Sequence, residues 1–205
     1  MKKQLLTLVL LLSCSISYAQ IQKGDILLGG SVRFSTFTID VEDSRTNFLD
    51  FNPQAGFFLS DRTSIGPLVS YSHESRKQEN QNFSLTEKTN TFSFGAYMRN
   101  YKPITEKLYF FLESSIVYGT GNRSIELQGD NNEGDITLFQ IRVAPQLSYF
   151  IGEKLAFDIR LFSATYSIDN TDEIGGVGLP ERDITGFNLT GGLNSVGFGL
   201  SWFLK

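Results

Sequence analysis

Residues Ser195–Lys205, SVGFGLSWFLK, alternate between two kinds of side chain. Val196, Phe198, Leu200, Trp202 and Leu204 are large and apolar, whereas Gly197, Gly199, Ser201 and Phe203 between them are mostly small. A period of two belongs to a strand, with one greasy face and one nearly bare face. The stretch predicts a closing strand whose outer face meets lipid, whose inner face fits a narrow barrel, and whose edges both pair. The remaining segments must then be the strands it closes against.

Seven earlier segments carry the same alternation. They lie at about Asp25–Phe37, Asn47–Leu59, Thr63–Ser75, Thr89–Tyr101, Lys107–Gly119, Ile136–Phe150 and Lys154–Ser167, and the eighth spans about Gly186–Leu204. In the fourth, Phe92, Phe94, Ala96 and Met98 oppose Thr91, Ser93, Gly95, Tyr97 and Arg99. The parity of the eighth slips between Leu193 and Val196, after Gly191-Gly192, which predicts a bulge. Pro53, Pro67 and Pro145 fall inside segments, and each removes a ladder hydrogen bond, so bulges or strand ends are expected there.

The breaks alternate as well. Short ones fall at Ser60–Arg62, Lys102–Glu106 and Ile151–Glu153; long polar ones fall at about Thr38–Thr46, Arg76–Lys88, Thr120–Asp135 and Ile168–Thr185. Short turns on one side and long loops on the other, with an even strand number, are the rhythm of an outer-membrane barrel. The fold expected is therefore all-β, an eight-stranded antiparallel up-and-down transmembrane β-barrel over residues 20–205, with both termini in the periplasm. A hydrophobic content of 40% and a charged content of 20% agree with this, because only alternate residues face lipid.

Residues 1–19 read as a cleaved signal peptide. Lys2 and Lys3 precede the apolar run Leu5–Leu12, and Ser17-Tyr18-Ala19 precedes the cut. The run is too short to span a bilayer as a helix. Losing the two lysines takes the formal charge from −4 to −6, and an acidic chain without a basic block argues against a nucleic-acid partner. The one cysteine, Cys14, lies in this segment. Leu11-Leu12-Ser13-Cys14 also resembles a lipoprotein lipobox, with Cys14 as a lipidated first residue.

The mature chain resembles the small outer-membrane β-barrel (porin-like) proteins of Gram-negative bacteria. The likeness runs from Leu28-Gly-Gly-Ser-Val32 through Phe94-Gly-Ala-Tyr-Met-Arg-Asn-Tyr101 and Phe111-Leu-Glu-Ser-Ser115 to Phe198-Gly-Leu-Ser-Trp-Phe203. Such chains usually stop on the aromatic, whereas Leu204-Lys205 follow it here. The resemblance implies a bacterial outer-membrane location and outer-membrane lipid as surroundings.

Two constellations carry chemistry. Arg33, Arg99, Glu113, Arg142, Asp158 and Arg160 share the small-residue parity. In an eight-stranded barrel, just wide enough for side chains to fill it, these charges must pair. They predict an interior polar network that plugs the barrel rather than a selectivity ring or proton path. The second constellation is His73, the one histidine, with Ser75 two residues on and Glu74 and Glu87 nearby. A His-x-Ser on a lipid-facing strand with a carboxylate beyond resembles the acyl-transfer site of outer-membrane lipid A deacylases. The competing reading is a polar residue at the membrane surface.

The acidic stretches Asp130–Glu133 and Asp169–Glu173 lack calcium-loop spacing, and Gly175–Gly178 lacks the strand–helix context of a phosphate loop. No cofactor or metal is expected. Tyr71, Tyr101, Tyr118, Tyr149 and Trp202 fall near strand ends and predict an interfacial girdle. The expected protein is a monomeric, non-enzymatic barrel with a structural or adhesive role and a possible extracellular ligand at its four loops. Two alternatives stand beside it: a lipid-modifying enzyme around His73, and a soluble periplasmic lipid-binding barrel of lipocalin type. The last needs the large residues inside and the polar ones outside.

Overall fold

The computed structural model describes residues 21–39, 43–80, 83–128, 130–172, 182–191 and 197–205. The described regular structure is all strand: β1 (Ile26–Ile39), β2 (Ser44–Ser60), β3 (Thr63–Asn80), β4 (Phe83–Pro103), β5 (Leu108–Leu127), β6 (Asp130–Phe150), β7 (Leu155–Arg160), β8 (Phe162–Thr171), β9 (Arg182–Gly191) and β10 (Gly197–Leu204). Each of β1 to β6 pairs antiparallel with the next. β6 then pairs with β7 and β8 in succession, β7 pairs with β10, and β10 returns to β1 from Ile26↔Leu204 to Ser31↔Gly199. β7 and β8 are two parts of the seventh strand, and β9 and β10 belong to the eighth. The eight strands close into an antiparallel up-and-down barrel.

Parity decides which face is which. Leu28, Phe34, Phe57, Phe94, Ile116, Leu200 and Trp202 point outward and are exposed. Leu27, Asn52, Gln54, Ser93, Arg99, Glu113, Ser148 and Ser201 point inward and are buried. A polar interior under an apolar wall inverts the lipocalin plan, which sets that alternative aside. Such a wall is stable only when its outer face is in lipid. Closure pairs β1 on both sides from Ile26 to Ser31, as hydrocarbon requires of backbone at the lipid level.

The strands exceed the segments expected from alternation. About 9–11 residues cross a bilayer, yet β4 and β6 each have 21. Most of the expected long loops are ladder: β3 reaches Asn80 before β4 begins at Phe83, and β5 reaches Leu127 before β6 begins at Asp130. Beyond the lipid level both faces meet water, so the alternation fades while the backbone keeps pairing. Pairs such as Arg76↔Glu87 set opposite charges across the strands.

The prolines divide. Pro53 lies opposite Gly30 and Pro67 opposite Ala96 in unshifted registers, so neither makes the expected bulge. Glycine accommodates the tight approach: a Cβ on Gly30 would come within 2.5 Å of the Asn52 carbonyl oxygen, and one on Gly66 would collide with the Ala55 carbonyl. The one shift between β2 and β3 falls instead between Phe58 and Ser60. At Pro145 the expectation and the geometry agree. The register runs Gln146↔Arg160 on one side and Val143↔Ala164 on the other, leaving one extra residue on the seventh strand. Leu161, unassigned to either strand, donates its N–H to the Pro145 carbonyl at 3.3 Å. The bulge expected after Gly191-Gly192 falls on residues 192–196, outside those described, as do the signal peptide and Gly175–Gly178.

Candidate functional site

The interior is built in layers. Nearest the termini, Phe58, Tyr101, Phe111, Phe150 and Phe203 converge from β2, β4, β5, β6 and β10. Phe150 and Phe203 have ring centroids 4.8 Å apart, Tyr101 and Phe111 4.9 Å, and Phe58 and Tyr101 5.5 Å. All five are buried, and Phe58 and Phe111 have no exposed surface. Tyr101 therefore belongs inside rather than to the girdle. It shares the parity of Arg99 and Tyr97, and nearness to a strand end does not change the face. Tyr71, Tyr118, Tyr149 and Trp202 are on the outer wall and exposed.

Above this layer lies Arg99, 4% exposed. Its Nε donates to Glu113 Oε2 at 2.9 Å and its Nη2 to Gln54 Oε1 at 2.7 Å. Its Nη1 lies within reach of Asp158 Oδ2 at 3.3 Å, Ser201 Oγ at 3.2 Å and Tyr101 Oη at 3.2 Å. The guanidinium carbon also sits 4.7 Å from the Phe111 ring centroid. Asp158 accepts from Ser148 at 2.6 Å and from Ser201 at 2.5 Å, and Arg142 Nη2 donates to Glu113 Oε1 at 3.4 Å. One cation thus ties β2, β4, β5, β7 and β10 together by their inner faces. Burial strengthens each contact and makes any unpaired member costly.

Of the six charges read from parity, Arg99, Glu113, Arg142 and Asp158 are joined by hydrogen bonds. Arg33 lies farther from the termini, pairs with Asp50 at 3.2 Å, and stacks on Phe48. Arg160 makes no ion pair among the described residues, and its buried Nε has no hydrogen-bond partner. Both line a cavity of about 270 Å³ on the far side of Arg99 from the aromatic layer, together with Asp50, Arg142, Ser70, Ser72, Ser163 and Thr190. Gln54, Tyr101, Ser148 and Ser201, which the sequence reading did not assign to the network, complete the surroundings of Arg99 and Asp158. Their inward parity was legible, but polar residues without charge drew no attention.

His73, Ser75 and Glu87 are not brought together. His73 lies on the outer face of β3, with its Nδ1 2.7 Å from Asn90 Oδ1. Asn90 in turn donates to Asn122 Oδ1 at 3.2 Å, forming a polar chain across β3, β4 and β5 just past Tyr71 and Phe92. Ser75 shares this face, opposite Lys88. Glu87 has the other parity, points to the inner face, and pairs with Arg123. The sheet itself separates the carboxylate from the histidine. Among the described residues, no three His, Cys, Asp or Glu side chains are grouped as a metal site.

No protein-family profile and no curated protein matches this chain. Solved structures that resemble its fold include two outer-membrane proteins. One is the translocator domain of autotransporter NalP from Neisseria meningitidis, at 11% identity and TM-score 0.49, covering 92% of this chain. This chain spans 65% of that domain's length. The other is the outer membrane protein OprG from Pseudomonas aeruginosa, at 9% identity and TM-score 0.43, covering 90% of this chain and 99% of that one. At these scores the likeness carries no argument. The barrel is established by its own ring of ladders and its apolar wall.

Proposed function

We propose that this is a monomeric bacterial outer-membrane barrel, exported by residues 1–19, whose lumen is plugged and whose biological contacts are made by the four hairpins farthest from the termini. The observation that carries the reading is the Arg99-centred layer lying directly on the aromatic layer of Phe58, Tyr101, Phe111, Phe150 and Phe203. Eight strands leave room for side chains and little else, and here the side chains fill it. The strands that run past the lipid level make the opposite end a rigid scaffold for recognition. Those hairpins are the part on which a structural or adhesive role rests.

Two measurements on the full chain test this. Unheated and boiled samples of the outer-membrane fraction should differ in gel mobility, and the protein reconstituted in planar bilayers should give no steady ion conductance. Equal mobilities would remove the membrane barrel, and a steady conductance would remove the plug. The lipid-modifying reading keeps no structural support, since Glu87 and His73 occupy opposite faces.

A further inference from the structure

On the outer face of β2 to β4, just past the apolar wall, three cations stand together. Arg45 lies directly opposite Lys77 in the β2–β3 ladder, and Lys88 lies opposite Ser75, the next outward residue toward the wall. All three are exposed. Like charges directly opposite across a ladder destabilise it, so the sheet holds Arg45 and Lys77 together against their repulsion. The carboxylates of these strands do little to offset it. Asp50, Glu74 and Glu87 have the inner parity. Glu79, on the outer parity, bonds Lys77 at 2.7 Å with both side chains more than half exposed, which makes the pair weak. Asp43 lies beyond Arg45, before β2 begins.

Beside the cations, across β3 to β6, runs a groove of about 500 Å³. Tyr71 and Phe92 line it at the top of the wall, Asn90 and Asn122 line it at the level of His73, and Asp135 closes its far side. Asn90 Oδ1 meets both His73 Nδ1 and Tyr71 Oη, and its amide nitrogen donates to Asn122, so these polar groups are set in place by the strands. Aromatic faces beside amides and a carboxylate suit a sugar ring, which offers an apolar C–H face and hydroxyls that both donate and accept. Glu126 and Glu133 continue the acidic side on β5 and β6. An anionic group on the sugar is therefore turned toward Lys88 and Lys77. Below the groove the wall is apolar, with Phe94 and Tyr118 exposed and their rings edge-on at 5.8 Å.

From this juxtaposition we infer that the outer wall binds one phosphorylated glycolipid of the surrounding leaflet at its rim. The sugar lies in the groove against Tyr71 and Phe92, the phosphate meets Lys88, Lys77 and Arg45, and the acyl chains follow Phe94 and Tyr118 down the wall. Clustered cations match a phosphate. A lipid is the occupant because the groove adjoins the apolar wall, so a bound head group leaves its chains in hydrocarbon. The inference rests on the outer-membrane reading and adds to it a lipid class and a site.

The test is native mass spectrometry of the full chain folded in a non-ionic detergent and titrated with diphosphoryl lipid A, with gel mobility reporting the fold of every sample. One saturable adduct per barrel is expected. Dephosphorylated lipid A, which keeps the sugar and chains, and phosphatidylglycerol, which keeps the phosphate and chains, should each bind more weakly by about tenfold or more, the loss expected for a charge-assisted hydrogen bond or its equivalent. The double variant Lys77→Gln/Lys88→Gln should weaken binding of diphosphoryl lipid A to the same extent. Asn122→Trp, which fills the groove without touching a cation, should do likewise and decides the matter if the double variant does not fold. Equal binding of the dephosphorylated lipid would reduce the effect to partition onto the wall, and equal binding of phosphatidylglycerol would reduce it to unspecific charge. Wild-type affinity in either folded variant would place the lipid elsewhere. Any of the three overturns the inference while the mobility shift, and with it the barrel, stands; a wild-type chain without the shift would remove the barrel and the site together.

Discussion

Replacing Arg99 by methionine tests whether the interior layer holds the barrel together. Methionine keeps much of the length and the contact with Phe111 but removes the charge and every donor. With an effective dielectric of about 20, a unit pair at the Arg99–Glu113 distance of 2.9 Å or the Arg99–Asp158 distance of 3.3 Å is worth roughly 5–6 kcal/mol before desolvation. The loss is not the sum of the two. Glu113 retains Arg142 at 3.4 Å, and the variant no longer buries a cation. Asp158 is the residue left stranded: it is 5% exposed and keeps only the hydroxyls of Ser148 and Ser201. Breaking one side of a buried pair costs about 3–5 kcal/mol, and that is the destabilisation expected for Arg99→Met. Urea unfolding in phospholipid vesicles, read by the fraction migrating as the folded form in a cold gel, measures it. Adding Asp158→Asn to Arg99→Met should restore about 2 kcal/mol or more by removing the stranded charge, although Asp158→Asn alone should destabilise. A loss for Arg99→Met below about 1 kcal/mol, or a double variant no more stable than Arg99→Met, would refute the claim that this layer is energetically coupled.

Other outcomes follow from the same geometry. Leu200→Arg on the outer wall should cost about 2–4 kcal/mol in vesicle refolding if it sits near the bilayer midplane, whereas Arg33→Gln, with its side chain 54% exposed, should cost less than about 1 kcal/mol. Gly66→Ala should lower the folded fraction by about 1–3 kcal/mol because its Cβ meets the Ala55 carbonyl; Gly186→Ala, whose Cβ meets nothing, should stay within about 0.5 kcal/mol, and equal effects would show that the close approach is unimportant. His73→Ala should leave the lipid A acylation profile of expressing cells unchanged; a changed profile would reinstate an acyl-transfer role for the outer face of β3.

Much of the architecture was legible because lipid imposes a strict rule. Phe94 must face out and Ser93 in, so the strand count and the wall could be read from parity alone. The same rule placed Arg99, Glu113 and Asp158 on one face, and it placed Tyr101 inside although its position near a strand end pointed to the girdle. Past Tyr71 the rule lapses. Ser75, Lys77 and Glu79 tell nothing about pairing, so the extended hairpins looked like loops. Which charges meet was not legible either. Arg99 reaches Asp158 and Ser201 across the lumen because of barrel curvature and register, quantities that no single strand encodes. Arg33 and Arg160 shared the parity but sit at another height. Pro53 and Pro67 misled because what matters is the glycine beside or across from the proline, which becomes visible only when strands are aligned.

The reach of Arg99 also has a consequence in time. Its acceptors Glu113, Asp158 and Ser201 lie 14, 59 and 102 residues further along the chain. Contacts of such separation are slow to form, because loop closure comes before any contact is gained. A sheet of β1 to β6 can already offer Arg99 its glutamate, but Asp158 and Ser201 arrive only when the last two strands dock. Unfolding should run the same way in reverse, with release of β10 at the seam with β1 freeing Ser201 first. The barrel should then leave the membrane in one step, with a lifetime set by how rarely that one strand lets go.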